Sequence, residues 1–208
     1  MQNELHAQLL LASNNSGKLK ELRALLADLE QIVLVTPADL GLKLNVVEDG
    51  TSYAENAARK AQAFAQASGL VCLADDSGLE VDALGGAPGL FSARYAPQDG
   101  ATDADRRVYL LQNLAGKPLP WTARFRAVIA LAAPGRELQF AEGVCEGEII
   151  AQERGSGGFG YDPIFLLRET GRTMAELEDG EKNQISHRAR AVQAGREMIA
   201  AALGLSNG

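Results

Sequence analysis

Leu70-Val71-Cys72-Leu73-Ala74-Asp75-Asp76-Ser77-Gly78-Leu79-Glu80 is the stretch on which the reading of this chain turns. An apolar run of strand length meets two adjacent carboxylates, a hydroxyl and a glycine. Leu70 to Ala74 is predicted as a strand, with Asp75-Asp76-Ser77-Gly78 as the polar turn that ends it. Like charges side by side raise each other's pKa unless a cation or hydrogen bonds relieve them. Two readings follow. The carboxylates serve a metal ion or a catalytic proton, or they belong to an Asp-rich turn whose side chains cap backbone amides.

The flanking sequence alternates strand and helix patterns. Gln8 to Ala12 is a short apolar strand, and Ser13-Asn14-Asn15-Ser16-Gly17 a polar turn. Leu19, Leu22, Leu26 and Leu29 then recur at helical spacing. Ser52-Tyr53-Ala54-Glu55 has the form of a capping box, and the alanine-rich helix it opens runs to Ser68 and closes at Gly69. Downstream, Trp121 to Ala132 and Glu137 to Glu153 flank Pro134-Gly135 as a hairpin, and Gly143 and Gly147 mark bulges or a bend in the returning arm. A glycine-rich segment, Gly155 to Pro163, precedes a strand at Ile164 to Leu167 and a terminal helix from about Asn183 to Leu203. The expectation is an α/β mixed sheet with flanking helices, one domain over residues 1–208 with two lobes and no marked boundary.

Composition narrows the function. The chain has 208 residues, 46% hydrophobic and 23% charged, which is ordinary for a globular protein. A net charge of −7 speaks against a nucleic-acid surface, which needs clustered lysine and arginine. No apolar run reaches the roughly 18 residues of a membrane span, and Met1 to Ala12 lacks a basic leader region. Cys72 and Cys145 sit in apolar strand-like runs and suggest buried thiols in a reducing compartment, so a cytoplasmic location is expected.

Four segments can carry chemistry. Ser13-Asn14-Asn15-Ser16-Gly17-Lys18 lies at a helix start, where unpaired amides, the dipole and a lysine suit phosphate. It is not a Walker A loop, which would have Gly at Ala12 and Ser or Thr at Leu19; a plain capped helix start is the other reading. In Glu48 to Asn56, Glu55 has a capping role and Lys60 behind it reads as a solvated helix lysine. Glu48 has no local role and could offer a hard oxygen to Mg²⁺ if folding brings it to Asp76. The glycine-rich loop offers Phe159 and Tyr161 as stacking faces, or is a mobile connector with one core aromatic. Lys182 to Arg188 collects donors suited to phosphate or a base carbonyl. His6 and His187 are too few for a histidine metal centre.

Together these segments resemble the inosine triphosphate pyrophosphatases, the noncanonical purine nucleoside triphosphatases that act on ITP, dITP and XTP. The resemblance rests on Ser13 to Glu21, Glu55-Asn56-Ala57 with Lys60-Ala61, Ala74 to Leu79, Leu84 to Gly89 with Ser92 to Tyr95, Gly157 to Pro163, and Ser186-His187-Arg188. It implies an elongated mixed α/β fold with two lobes around a central nucleotide cleft, a homodimer, and Mg²⁺-dependent cleavage of a triphosphate to monophosphate and pyrophosphate. It also implies roles. Ser13, Asn14, Asn15, Ser16, Gly17 and Lys18 form the phosphate turn, with Lys60 and Lys182 as further cations. Glu48 and Asp76 are metal ligands, and Asp76 is the proton acceptor. Ser77, Phe159, Gly160, Tyr161, Asp162, His187 and Arg188 contact substrate.

The chemistry is coherent with the residues. Attack of water at the α-phosphorus needs a positioned water, neutralised phosphate oxygens and a stabilised pyrophosphate. A 6-keto purine offers an acceptor where adenine offers an amino group, so donors at His187, Arg188 or loop amides would select it. Adenine would leave those donors unmatched, at about 1–3 kcal/mol each. A pyrophosphatase for pyrimidine or modified nucleotides and a non-catalytic nucleotide-binding module are the competing classes.

Overall fold

The computed structural model describes residues 7–29 and 31–205. His6 therefore lies outside the described residues. Among the described residues one mixed sheet of seven strands carries the fold, in the order β2-β1-β3-β4-β5-β6-β7. The strands are β1 (Ala7–Leu11), β2 (Ile32–Val35), β3 (Val71–Val81), β4 (Trp121–Ala132), β5 (Gln139–Ile149), β6 (Phe165–Leu167) and β7 (Arg172–Thr173). β1 pairs in parallel with β2 and β3, whereas β6 pairs antiparallel with β5 and β7. Among the described residues six α-helices flank them: α1 (Ser16–Leu25), α2 (Tyr53–Ser68), α3 (Asp103–Leu114), α4 (Asp179–Ile185), α5 (His187–Ala194) and α6 (Arg196–Leu203). Among the described residues no helix is long and apolar enough to cross a membrane.

The chain forms two compact units. The first takes the chain up to Asp76, Val128–Glu142 and the residues from Ala191 on; the second takes Ser77–Ala127 and Gly143–Arg190. In the first, Leu9, Leu10 and Leu11 of β1 are all fully buried, as a parallel strand covered on both faces requires. Ala57, Ala61, Phe64 and Ala65 form the buried stripe of α2, at the spacing of one helix face, and pack with Leu10, Ala12, Cys72 and Ala74. Gly69 closes α2 with φ of 72°, the left-handed position that glycine fills without a Cβ clash. In the second unit, Leu110 and Leu114 of α3 join Leu79, Val81, Phe125, Tyr161, Ile164 and Phe165 in one core. The Phe125 and Phe165 rings lie 4.4 Å apart.

Several expectations change. Asp75 to Gly78 is not a turn: β3 runs unbroken for 11 residues through it. Side chains from α1 and α2, described below, hold the carboxylates within the strand, so the charges need no loop. The capping box at Ser52 is half made. Ser52 Oγ accepts from Glu55 N, while the Glu55 carboxylate turns to Thr51 N at 2.8 Å. The terminal helix is three helices. Ser186 has extended ψ of 158° and its Oγ accepts from Ala189 N, ending α4 and capping α5. At Gly195 a Cβ would lie 2.7 Å from Ile129 Cδ1, so the chain passes close to β4 there. The returning hairpin arm is shorter than expected, ending at Ile149, and Ile164 belongs to a 3-10 turn before β6. Gly147 marks close packing against the Phe165 ring, 2.6 Å from where a Cβ would stand. β2 and α3 have no counterpart among the elements expected above.

Candidate active site

The first cluster of predicted residues gathers on β3, α1 and α2 within the first unit. Asn15 caps α1, its Oδ1 accepting from Lys18 N at 3.0 Å, and its own N–H donates to Ser13 Oγ. This capping leaves the turn's other amides at the positive end of α1, the arrangement that favours an anion. The Lys18 ammonium reaches Asp75 Oδ1 at 3.1 Å, where the Asp75 side chain is fully buried. A buried carboxylate needs such a partner, since a lone charge out of water is very costly. Asp75 thereby holds Lys18 against β3.

Asp76 is held from α2. Asn56 is 1% exposed; its Oδ1 accepts from Gly50 N at 2.8 Å, which leaves Nδ2 to donate to Asp76 Oδ2 at 3.1 Å. One turn further along, Lys60 Nζ lies 2.8 Å from Glu48 Oε2 and 3.7 Å from Asp76 Oδ1. The lysine read as solvated is therefore only 11% exposed and shared between two carboxylates. Burial pushes the Asp76 carboxyl above its ordinary value of 3.8, against the opposing pull of Lys60, Lys18 and Asn56 and with a smaller push from Glu48. Folding thus brings Glu48 to Asp76, as sequence alone could not decide. Asn56 stood in a motif of the resemblance without a role there; the Gly50–Asn56 contact that orients it has no local signature.

Glu48 and Asp76 already converge on one cation, the Lys60 ammonium. Their hard carboxylate oxygens therefore suit a magnesium ion, which takes few protein carboxylates and completes its shell with water and substrate phosphates. No third His, Cys, Asp or Glu completes a metal-binding group among the described residues.

The second cluster belongs to the second unit. Lys182 in α4 donates to Asp162 Oδ2 at 2.6 Å with both side chains 5% exposed. The same oxygen accepts from Phe159 N at 2.8 Å. Lys182 Nζ and Arg188 Cζ stand 5.1 and 5.8 Å from the Phe159 ring centroid, cation–π distances. Arg188 is 1% exposed and donates through Nη2 to Ser77 Oγ at 3.0 Å. His187 is buried, not on the surface, and stacks on Phe125 at 4.8 Å. Both sit at the start of α5, where Ser186 caps the helix.

The glycine-rich segment is a held loop, not a mobile connector. Gly157 N donates to Ala175 O, and Gly160 N to Asp103 Oδ2 at 2.7 Å. Gly158 is glycine of necessity: its φ is 70°, and a Cβ would run into the Asp162 carboxylate. Tyr161 offers no stacking face. It is 4% exposed in the core and its hydroxyl donates to Ser92 O at 2.9 Å. Half-buried Phe159 is the flat surface that remains. Asp76 closes the first cluster and Ser77 opens the second, so the two meet in sequence at one peptide bond of β3.

Comparisons with known proteins agree in class. The sequence model of the Ham1 family matches residues 9–198. The dITP/XTP pyrophosphatase of Shouchella clausii is 47% identical over 92% of this chain and 96% of its own. That of Gloeobacter violaceus is 51% identical over 89% of this chain and 90% of its own. A HAM1 protein structure from Coxiella burnetii superposes with TM-score 0.84 at 43% identity, covering 94% of this chain and all of the other.

Proposed function

The chain belongs to the Ham1 family, and from that premise we propose that it hydrolyses noncanonical purine nucleoside triphosphates, ITP, dITP and XTP, to the monophosphate and pyrophosphate. The observation that carries the mechanism is Asp76: a buried carboxylate, raised in pKa, oriented by Asn56 and set beside Lys60 and Glu48.

The first cluster handles the phosphates. Asp76 orients the attacking water and takes its proton, a role for which a raised carboxyl is suited. Asn56 holds Oδ2 and leaves Oδ1 for the water. Lys18, steadied by Asp75, and Lys60 neutralise charge that builds on the phosphate oxygens, and the α1 amides receive the phosphate chain. Bound at Glu48 and Asp76, Mg²⁺ would supply Lewis-acid neutralisation of the phosphates.

The second cluster handles the base. Arg188 and His187 present donors for a 6-keto oxygen, Phe159 a stacking face, and Lys182 with Asp162 holds that face in place. ATP is disfavoured because its 6-amino group leaves donors unmatched, roughly 5- to 150-fold for each. The protein acts as a homodimer in the cytoplasm on this reading; light scattering of the purified chain tests the dimer.

Incubation of ITP with the protein and Mg²⁺ in oxygen-labelled water tests the reaction. IMP carrying the label plus unlabelled pyrophosphate is the expected outcome. IDP plus phosphate would move attack to the γ-phosphorus, and bound but intact ITP would make the chain a binding module. Equal kcat/KM for ITP, XTP and ATP would remove the base selection, and preference for a pyrimidine triphosphate would favour the related class.

A further inference from the structure

The loop that carries Phe159 is fixed by two side chains of α3, a helix with no part in the chemistry described above. Thr102 caps α3, and Asp105 completes the capping box, so the helix start is satisfied without Asp103. An acid at the first position would ordinarily be explained by the helix dipole. Here its Oδ2 is instead engaged by the Gly160 N–H at 2.7 Å. Arg107 follows four residues later, on the same face of the helix. Its Nη1 donates to Gly160 O at 2.8 Å, and its Nε and Nη2 grip the Glu153 carboxylate at 2.8 and 3.0 Å.

One residue of the loop is thus held at both ends, its N–H by an acceptor and its carbonyl by a donor from the same helix face. Gly160 has φ of 63° inside a turn that the Asp162 N–H closes on Phe159 O at 3.2 Å, and the α3 pairing anchors that turn from outside it. Immediately before it, Phe159 N is tied to Asp162. Backbone anchors on both sides therefore determine where the Phe159 ring stands beneath Lys182 and Arg188. Burial alone would raise the Asp103 carboxyl; the Gly160 N–H, Arg106 and Arg107 outweigh it and hold it below the ordinary range, so the acceptor is ionised at neutral pH.

We propose that Asp103 and Arg107 are positioning residues for base binding, clamping the Gly160 peptide so that Phe159 is held at stacking height; this rests on the reading of Phe159 as the stacking face. Such a clamp acts on binding and selection of the base, and leaves the water and phosphate chemistry at Asp76 untouched. It predicts a split between KM and kcat that a general loss of stability would not give.

The test compares Arg107→Ala, Asp103→Ala, Arg107→Lys and Glu153→Ala with the wild-type chain. Arg107→Ala and Asp103→Ala should raise KM for ITP about 10-fold, the scale of one lost charge-assisted hydrogen bond, with kcat changed less than about 3-fold. The preference for ITP over ATP should fall with it. Arg107→Lys, which keeps a donor, should recover part of the KM. Glu153→Ala loses the grip on Arg107 but not the Gly160 peptide, and should change KM little. Amide exchange at Gly160 should quicken in the two alanine variants, a readout independent of activity. Unchanged exchange and KM in variants that fold would overturn the clamp, as would a Glu153→Ala effect equal to that of Arg107→Ala. Failure of the wild-type chain to cleave ITP, with exchange at Gly160 still quickened in the variants, would sink the substrate assignment and not the clamp.

Discussion

Replacing Lys182 by methionine isolates the energetics of the second cluster. The side chain keeps its length and most of its packing but loses the ammonium that stands 2.6 Å from Asp162 Oδ2. At that separation and an effective dielectric of about 20, the attraction is roughly 6 kcal/mol, of which desolvation of the two charges offsets a large part. Removing one partner keeps the desolvation of the other. Asp162, 3% exposed, would retain the Phe159 N–H without that ammonium. The expected loss is about 3–5 kcal/mol. Asp162→Asn should cost a comparable amount, whereas the double substitution should cost far less than the two together, with a coupling of at least about 2 kcal/mol. Urea unfolding can be followed by Trp121 emission, since Trp121 is the single tryptophan and belongs to the same unit as the pair. A loss below about 1 kcal/mol for Lys182→Met, or additivity within about 0.5 kcal/mol, would refute the account of a tightly coupled buried pair.

Asp76→Asn should leave the fold intact and lower turnover of ITP at least about 100-fold, the low end for loss of a general base; near wild-type turnover in a folded variant would remove Asp76 from that role. Asn56→Leu keeps the volume but breaks the bonds to Asp76 and Gly50; stability should fall by about 2–4 kcal/mol and kcat more steeply than KM, and an unchanged kcat would show that Asp76 needs no such orientation. Gly158→Ala should lose at least about 1–2 kcal/mol from the left-handed backbone alone, with more from displacing the Asp162 carboxylate; a neutral thermal shift would contradict the packing. Burial pushes the Cys72 thiol from 9.0 up to about 12 and Cys145 to about 11. A thiol with a higher pKa folded than unfolded favours folding below the unfolded value and loses that contribution as pH rises through the folded one. Unfolding free energy should therefore decline from about pH 9 to 12, by up to roughly 4 kcal/mol for Cys72, and Cys72→Ala should flatten the decline; an identical pH slope in the variant would exclude the thiol as its source.

What the sequence determined by itself was whatever covalent neighbours can decide. β1, α2 with its Gly69 stop and the β4–β5 hairpin follow from short-range periodicity, caps and turns, and α1 appears near its predicted start. The order of the motifs carried the family. Ser13 to Lys18, Asp76 and His187-Arg188 were visible as residue types suited to phosphate, proton and base. Tertiary structure decided the rest, because the deciding partners lie far along the chain. Asp75-Asp76 read as a turn since two charges in a strand are unfavourable unless paired; the pairs come from Lys18, Asn56 and Lys60, and Asn56 is 20 positions from Asp76. Ser77 meets Arg188 across 111 positions, and Gly160 meets Asp103 across 57. No local pattern encodes such pairings. The burial that gives Asp76 its raised pKa exists only once the chain has closed around it, so the sequence could name the carboxylate but only the fold could set its chemistry.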